Sequence, residues 1–336
     1  MRCLTVFRSS LSFPAVCLLF LCLALGSITR PALAQSYADH PQTQAFIKEM
    51  VRKHHFSESS LREIFSQVEK QQSILDAMNR PVERVMTWKD YRKIFMTEQR
   101  ISGGKQFLKD NEATLAKAEA RWGVPPSIVT AILGVETRYG EVRGNYRLVE
   151  SLSTLAFDYP RRGAFFKGEL EQLLLLSREQ GVEPLAIKGS YAGAMGYGQF
   201  MPSSYRHFAL DFDGDGRADL LDNVVDAIGS VAHYFAQHGW QRGQAVAWPV
   251  SPAKAPTASQ LPAKQKPAQT LSGLASLGLD GRGLSAKTPV RLIGQDGEAG
   301  REYWLTLQNF YVITRYNHSD MYALAVNELS EAISKP

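Results

Sequence analysis

Cysteine is nearly missing from this chain: the three present, Cys3, Cys17 and Cys22, all precede residue 23. Without that leading segment nothing is left to form a disulfide, bind zinc through thiolates, hold an iron–sulfur cluster or act as a thiol nucleophile. Long apolar runs are lacking too. The one candidate, Phe13–Ile28, is too short and too early to favour a membrane anchor. Behind Arg2 and Arg8, and ahead of Ala32-Leu33-Ala34, it reads as a signal peptide over residues 1–34, cleaved to leave Gln35 first. A lipoprotein needs a cysteine just after small residues, whereas Cys22 follows Leu19-Phe20-Leu21, so lipid attachment is the weaker alternative. An excess of one charge is also missing. Of 38 basic residues Arg2, Arg8 and Arg30 lie in the leader, leaving 35 against 33 acidic ones, which gives no argument for nucleic acid. At 336 residues, 44% hydrophobic and 21% charged, the chain is globular in composition and not disordered.

What is present begins with helices. Residues 41–121 keep the helical period, with Ala45, Phe46 and Met50 and then Leu61, Ile64, Phe65 and Val68 in phase, and no strand pattern interrupts them. In Trp88–Phe95 the spacing sets Tyr91 and Phe95 four apart, for core packing or for lining a groove. Next comes Val124–Gly140. Pro125 and Pro126 suit a first turn, Gly140 supplies a stop, and Ile128, Ile132 and Val135 share a face. Glu136 falls on that face, four residues after Ile132. Desolvation there penalises the charged carboxylate and raises its pKa, as a general acid requires near neutral pH. The other reading pairs Glu136 with Arg138 or Arg143.

A long helix is expected over Phe165–Glu179, preceded by a loop in which Arg161 and Arg162 form either a solvated pair or a clamp for a carboxylate or peptide. In Lys188–Tyr205 the glycines Gly189, Gly193, Gly196 and Gly198 stand beside Tyr191, Tyr197 and Gln199. Bare backbone of this kind admits a bulky ligand, and tight helix packing would also use it. Pro252–Pro267 reads as a linker or mobile loop, within a variable segment 251–288. Val290–Gly294 and Arg301–Thr314 alternate around a turn with Gly297 and Gly300, predicting a small antiparallel sheet, and a last helix covers Met321–Ile333.

The run from Asp211 to Arg217 sets Asp211, Asp213 and Asp215 at alternate positions, with Gly216 at the sharp turn and the carbonyl of Arg217 next. That is the opening of an EF-hand calcium loop. Its close departs from the pattern. Asp222 stands where a glutamate belongs, and Asp226 lies at the start of a helical run, so either could complete the site. The role expected for calcium is structural, because such a site leaves no obvious open position for chemistry.

GVETRYG (134–140), YPRR (159–162), KGSYAGAMGYGQFMPSSY, DFDGDG with DAIGSVAHYF, and NFYVITRYNHSDMYA (309–323) together make the chain resemble the membrane-bound lytic murein transglycosylase B family. The resemblance runs from about residue 40 to the C-terminus. It implies a mainly α fold: a lysozyme-like helical core with an additional α domain and a small antiparallel β domain. The segments would be an N-terminal α part at 35–121, a catalytic core at 122–250 holding the calcium loop 211–226, and a β domain with the C-terminal helix at 289–336. It implies Glu136 as catalytic acid and base. Tyr91, Phe95, Arg161, Arg162, Ser190, Gln199, Tyr234, Tyr316, Asn317 and Tyr322 would line the substrate groove, and Asp226 would close the calcium site, here with an additional residue in the loop.

The implied activity is cleavage of the MurNAc–GlcNAc β-1,4 bond of peptidoglycan in the periplasm, with formation of 1,6-anhydro-N-acetylmuramic acid during cell-wall turnover. Glycan strands are the expected partner, with other cell-wall enzymes as further ones. A monomer is expected, with no organic cofactor. Hydrolytic and retaining glycosidases use paired carboxylates, about 5–9.5 Å apart according to mechanism. Only Glu136 sits on an apolar face; Asp158 and Glu141 do not. A single carboxylate suffices if the substrate supplies its own nucleophile. The alternatives are a hydrolytic muramidase and a non-catalytic, calcium-stabilised peptidoglycan-binding protein.

Overall fold

The structure is a computed structural model that describes residues 36–79, 86–263 and 266–335. The leader and its Ala32-Leu33-Ala34 site lie outside the described residues. Local signals set the helices: α1 (Pro41–His54), α2 (Glu58–Ser66), α3 (Gln72–Asn79), α4 (Trp88–Phe95), α5 (Glu98–Asp110) and α6 (Glu112–Trp122). Pro41 opens α1, while the side chains of Ser57, Thr87 and Thr97 accept a backbone N–H at the starts of α2, α4 and α5. Then come α7 (Pro126–Thr137), the short strand β1 (Tyr146–Arg147), α8 (Leu148–Asp158), α9 (Gly163–Gln180), β2 (Lys188–Gly189), α10 (Pro202–Phe208) and α11 (Val224–Gln237). The C-terminal part holds β3 (Ala247–Val250), β4 (Gln269–Thr270), β5 (Pro289–Asp296), β6 (Arg301–Thr306), α12 (Gln308–Tyr316) and α13 (Asp320–Ser334).

One core runs from Tyr37 to Ile333 and takes in the N-terminal helices, α7 to α11, α12 and α13. At its centre α7 is buried almost all round, with Ile128, Val129, Ala131, Ile132 and Leu133 each at most 4% exposed. A helix apolar on every side belongs inside a large core. Helix α13 packs along it. The antiparallel sheet runs in the order β3-β6-β5-β4 and covers a second, smaller core of Trp248, Leu274, Leu277, Val290, Leu292 and Leu305.

The expected elements are found, with three differences. First, α7 stops at Thr137, before Gly140, because Arg138 and Tyr139 already take left-handed backbone at φ 52° and 63°. The Tyr139 N–H turns back to the Leu133 carbonyl, and its ring packs onto Gly134, where a Cβ would come within 2.6 Å of it. Second, the strand expected to run to Thr314 ends at Thr306, and Gln308 opens α12. Buried Asn309 anchors that change: its Nδ2 donates to the carbonyls of Gln241 and Gln244, and its Oδ1 accepts from Gln241 N–H. Third, the stretch 251–288, read as a linker, contributes β4 and the buried Leu274 and Leu277 to the second core.

Candidate active site

Glu136 lies in the last turn of α7. Part of its surface stays accessible, yet protein atoms crowd the rest of the carboxyl group, and this burial pushes its pKa up to about 7. A smaller pull works the other way. Tyr322, on α13 and 2% exposed, donates its hydroxyl to Glu136 Oε1 at 2.6 Å, which favours the carboxylate. Desolvation wins, as expected when one hydrogen bond competes with the loss of most hydration.

Aromatic side chains collect around this carboxyl. Burial and the nearby Glu136 both raise the pKa of Tyr91, and do the same for Tyr316 and Tyr322, so all three phenols stay protonated at any working pH. Tyr91 and Phe95, four apart on α4, have ring centroids 5.1 Å apart, and the Arg100 guanidinium stands over Phe95. On the other flank Tyr234, Tyr316 and Phe200 form an edge-on cluster, Tyr234 to Tyr316 at 4.9 Å. Their hydroxyls are tied to backbone: Tyr316 to the Gly198 carbonyl and Tyr234 to the Arg315 carbonyl, each at 2.6 Å. Gln199 lines a small cavity with Tyr234 and Tyr316. Its amide donates to the carbonyls of Gly196 and Arg143, and its own φ is 50°, an uncommon value for a residue with a side chain.

The glycines of this loop pack closely against neighbouring backbone and rings and not helix against helix. Gly196 has φ +72°, and a Cβ there would meet the Leu220 carbonyl at 2.2 Å. Ser190 holds the same loop by accepting the Ala194 N–H. Other expected groove residues have no hydrogen bond to Glu136 among the described residues. Arg161 and Arg162 are exposed; Arg162 lies over Phe165, and the Arg161 side chain has no hydrogen bond or ion pair among the described residues. Asn317 is an exposed residue at the end of α12.

In the acidic loop, carboxylate oxygens of Asp211, Asp213 and Asp226 converge within 4.8 Å of one another. Asp226 is fully buried at the start of α11 and accepts the N–H groups of Phe212 and Asp219 at 2.7 Å each. Asp211 accepts the Gly214, Asp215 and Gly216 N–H groups. Asp215 turns to the Arg217 N–H, and Asp222 pairs with Arg143 at 3.0 Å, so neither joins the trio. Three hard oxygen donors around one point suit a hard cation.

Residues 38–331 match the transglycosylase SLT domain family. The chain belongs to that family. It is 45% identical over 308 residues to membrane-bound lytic murein transglycosylase B of Escherichia coli strain K12, covering 89% of this chain and 84% of that protein. Among solved structures it is similar to the lytic transglycosylase SltB1 of Pseudomonas aeruginosa, with a TM-score of 0.85 at 46% identity over 89% of this chain and 98% of that one. It is also similar to the E. coli lytic transglycosylase Slt35 in complex with calcium, at a TM-score of 0.81 and 45% identity over 90% and 95% of the two chains. SltB3 of P. aeruginosa in complex with NAG-anhNAM-pentapeptide gives 0.79 and 28%, over 89% and 80%.

The protein is therefore a peptidoglycan lytic transglycosylase with a lysozyme-like helical fold. In this transglycosylase the carboxyl's surroundings mark the site better than enclosed volume does. A cavity of about 470 Å³ opens between α4, the β5–β6 turn and α13, and Glu136 does not line it. A polymer lies along an open cleft, so an enclosed cavity is no measure of its site.

Two positioning residues escaped the sequence reading. Arg100, 9% exposed, donates to the carbonyls of Gly134 at 2.5 Å and Val135 at 3.4 Å, closing the end of α7 directly before Glu136. Thr137 Oγ1 donates toward the Leu133 and Tyr197 carbonyls and accepts Gly140 N–H, joining α7 to the Gln199 loop. A threonine and an arginine give no local signal of such roles, since both act across tens of residues.

Proposed function

We propose that Glu136 alone serves this transglycosylase as acid and then base, with the substrate providing the nucleophile. What carries the reading is one carboxyl group near neutral pKa with no second carboxylate beside it among the described residues. Asp158 accepts from the Tyr37 hydroxyl at 2.5 Å and from Lys70 at 2.6 Å, which hold it below the usual carboxylate range despite partial burial. Glu141 is exposed. Protonated Glu136 gives its proton to the glycosidic oxygen between MurNAc and GlcNAc as the C1–O bond breaks. The muramoyl 2-acetamido group stabilises the charge that develops at C1. Ionised Glu136 then takes the proton from the 6-hydroxyl of the same sugar while O6 bonds to C1, closing the 1,6-anhydro ring. No water is consumed, and Glu136 ends as it began. A group that must both give and take a proton works best with a pKa near the ambient pH. Tyr91, Phe95, Tyr234, Tyr316 and Gln199 would hold sugar rings, with Arg161, Arg162, Ser190 and Asn317 farther along the strand.

Calcium would be held by Asp211, Asp213 and Asp226, with Asp215 and the Arg217 carbonyl completing the shell, and would neutralise the mutual repulsion of the aspartates. The relative solved with calcium and the converging oxygens support this. Action on murein implies a location outside the cytoplasm, and no helix of the described residues is long and apolar enough to cross a membrane. The leader read from the sequence would deliver the enzyme to the periplasm. Digesting purified peptidoglycan tests the activity. A product lighter than the hydrolysed one by one water supports the reading, a full-mass product makes the enzyme a muramidase, and no product makes it a binding protein.

A further inference from the structure

Helix α4 has two working faces. Tyr91 and Phe95 stand toward Glu136 and Arg100, while Lys89, Arg92 and Lys93 line the cavity of about 470 Å³ on the adjoining face, with Trp88, nearly in line with Phe95, at its edge. Helix α13 is divided in the same way: Tyr322 bonds Glu136, and Glu328 and Glu331 line the cavity.

The cavity carries charges of both signs: Lys89, Arg92, Lys93 and Lys335 against Glu298, Glu302, Glu328 and Glu331. Lys89 and Lys93 share the single carboxylate of Glu298, at 2.9 and 3.4 Å. Glu328 takes the Arg92 guanidinium, Glu331 has only the Asn327 amide at 3.0 Å, and Glu302, whose carboxyl lies against Gly297, has no hydrogen bond or ion pair among the described residues. Glu302 and Glu331 are thus without an ion pair there, as is Lys335, and Lys89 and Lys93 outnumber their one carboxylate. Trp88 also lines the cavity, 1% exposed, and its indole N–H has no acceptor among the described residues. A buried donor without a partner is unusual in a native protein, and a ligand carbonyl would satisfy it.

We propose that this cavity binds the peptide stem of peptidoglycan through a residue bearing both a free ammonium and a carboxylate, beside but separate from the glycan site. The ligand's ammonium meets Glu302 and Glu331, its carboxylate meets Lys89 and Lys93, and a peptide carbonyl accepts from Trp88. The inference rests on the proposed peptidoglycan reading. Reach is sufficient: five extended residues span at most ~17 Å, against about 10–12 Å for the width of a helix. A stem attached to a sugar beside Tyr91 can therefore pass α4 into the cavity.

The test titrates the purified enzyme with a free pentapeptide carrying a diamino acid, following tryptophan fluorescence. The same peptide acetylated on its side-chain amine serves as control. Saturable binding is expected, at least tenfold weaker for the acetylated peptide and for Glu302→Gln/Glu331→Gln, and unchanged in Glu136→Gln. Lys89→Gln/Lys93→Gln, at a half-buried and an exposed position, should weaken binding of both peptides. Absence of saturable binding, equal affinity for the two peptides, indifference to both double variants, or loss in Glu136→Gln overturns the proposal. Failure of the activity reading is distinguishable, because it appears as absence of anhydro product from the native enzyme whatever the peptide does.

Discussion

At the scale of single residues the proposed chemistry turns on Glu136. Glu136→Gln keeps the size and the hydrogen bond from Tyr322 but removes the transferable proton, so turnover should fall at least the ~10²–10⁴-fold typical of general acid–base groups. Asp158→Asn and Glu141→Gln should do far less; mass-resolved digestion of all three checks this. Because Glu136 must enter the reaction protonated, kcat/KM should decline as pH rises through about 7. Tyr322→Phe deletes the bond that favours the carboxylate, so the same limb should move to higher pH. Stability follows with its own sign. The folded pKa of about 7 exceeds the ordinary glutamate value, so between the two the native state holds more protons, and stability is lost as pH rises through that window. Glu136→Gln carries no such penalty. It should melt above the native enzyme at pH 8, and the gain should vanish toward pH 4.

At the scale of elements, the acidic loop meets the Gln199 loop through the Tyr197 N–H, which donates to the Leu220 carbonyl, and through Arg143. Arg143 pairs with Asp222, donates to the Leu221 carbonyl, stacks over Tyr197, and offers its own carbonyl to Gln199. Calcium added to metal-stripped protein should raise Tm, with a gain of about 2.7 kcal/mol at a hundredfold excess over Kd. Asp211→Ala/Asp213→Ala should abolish that shift. Asp222→Ala should leave it intact, because Asp222 is committed to Arg143; an equal loss there would assign loop closure to Asp222 instead of Asp226. Asp211 and Asp213 were legible in the sequence as an alternating pair that converges, whereas Asp215, expected with them, turns to the Arg217 N–H. The close of the loop was not legible, because two aspartates satisfy the spacing and only the start of α11 buries one of them.

At the scale of the whole molecule, intact-mass analysis of the exported protein should give a chain starting at Gln35, and a diacylglyceryl mass on Cys22 would refute this. Helical content, the small sheet and the carboxylate on an apolar face were all readable from the chain, because periodicity, caps and turn residues act over a few neighbours. The end of α7 and the start of α12 were misplaced, since Tyr139 on Gly134 and Asn309 on Gln241 and Gln244 decide them from a distance. So it was with the 251–288 stretch, whose proline and lysine content hides Leu274 and Leu277 in the second core. By itself the sequence determined which residue could be the acid, since one glutamate recurs in phase with Ile128 and Ile132. Only tertiary structure brings its pKa near neutral and leaves no second carboxylate beside it among the described residues. Burial of its carboxyl and the diversion of Asp158 to Lys70 and Tyr37 come from long-range contacts, and no local pattern encodes them.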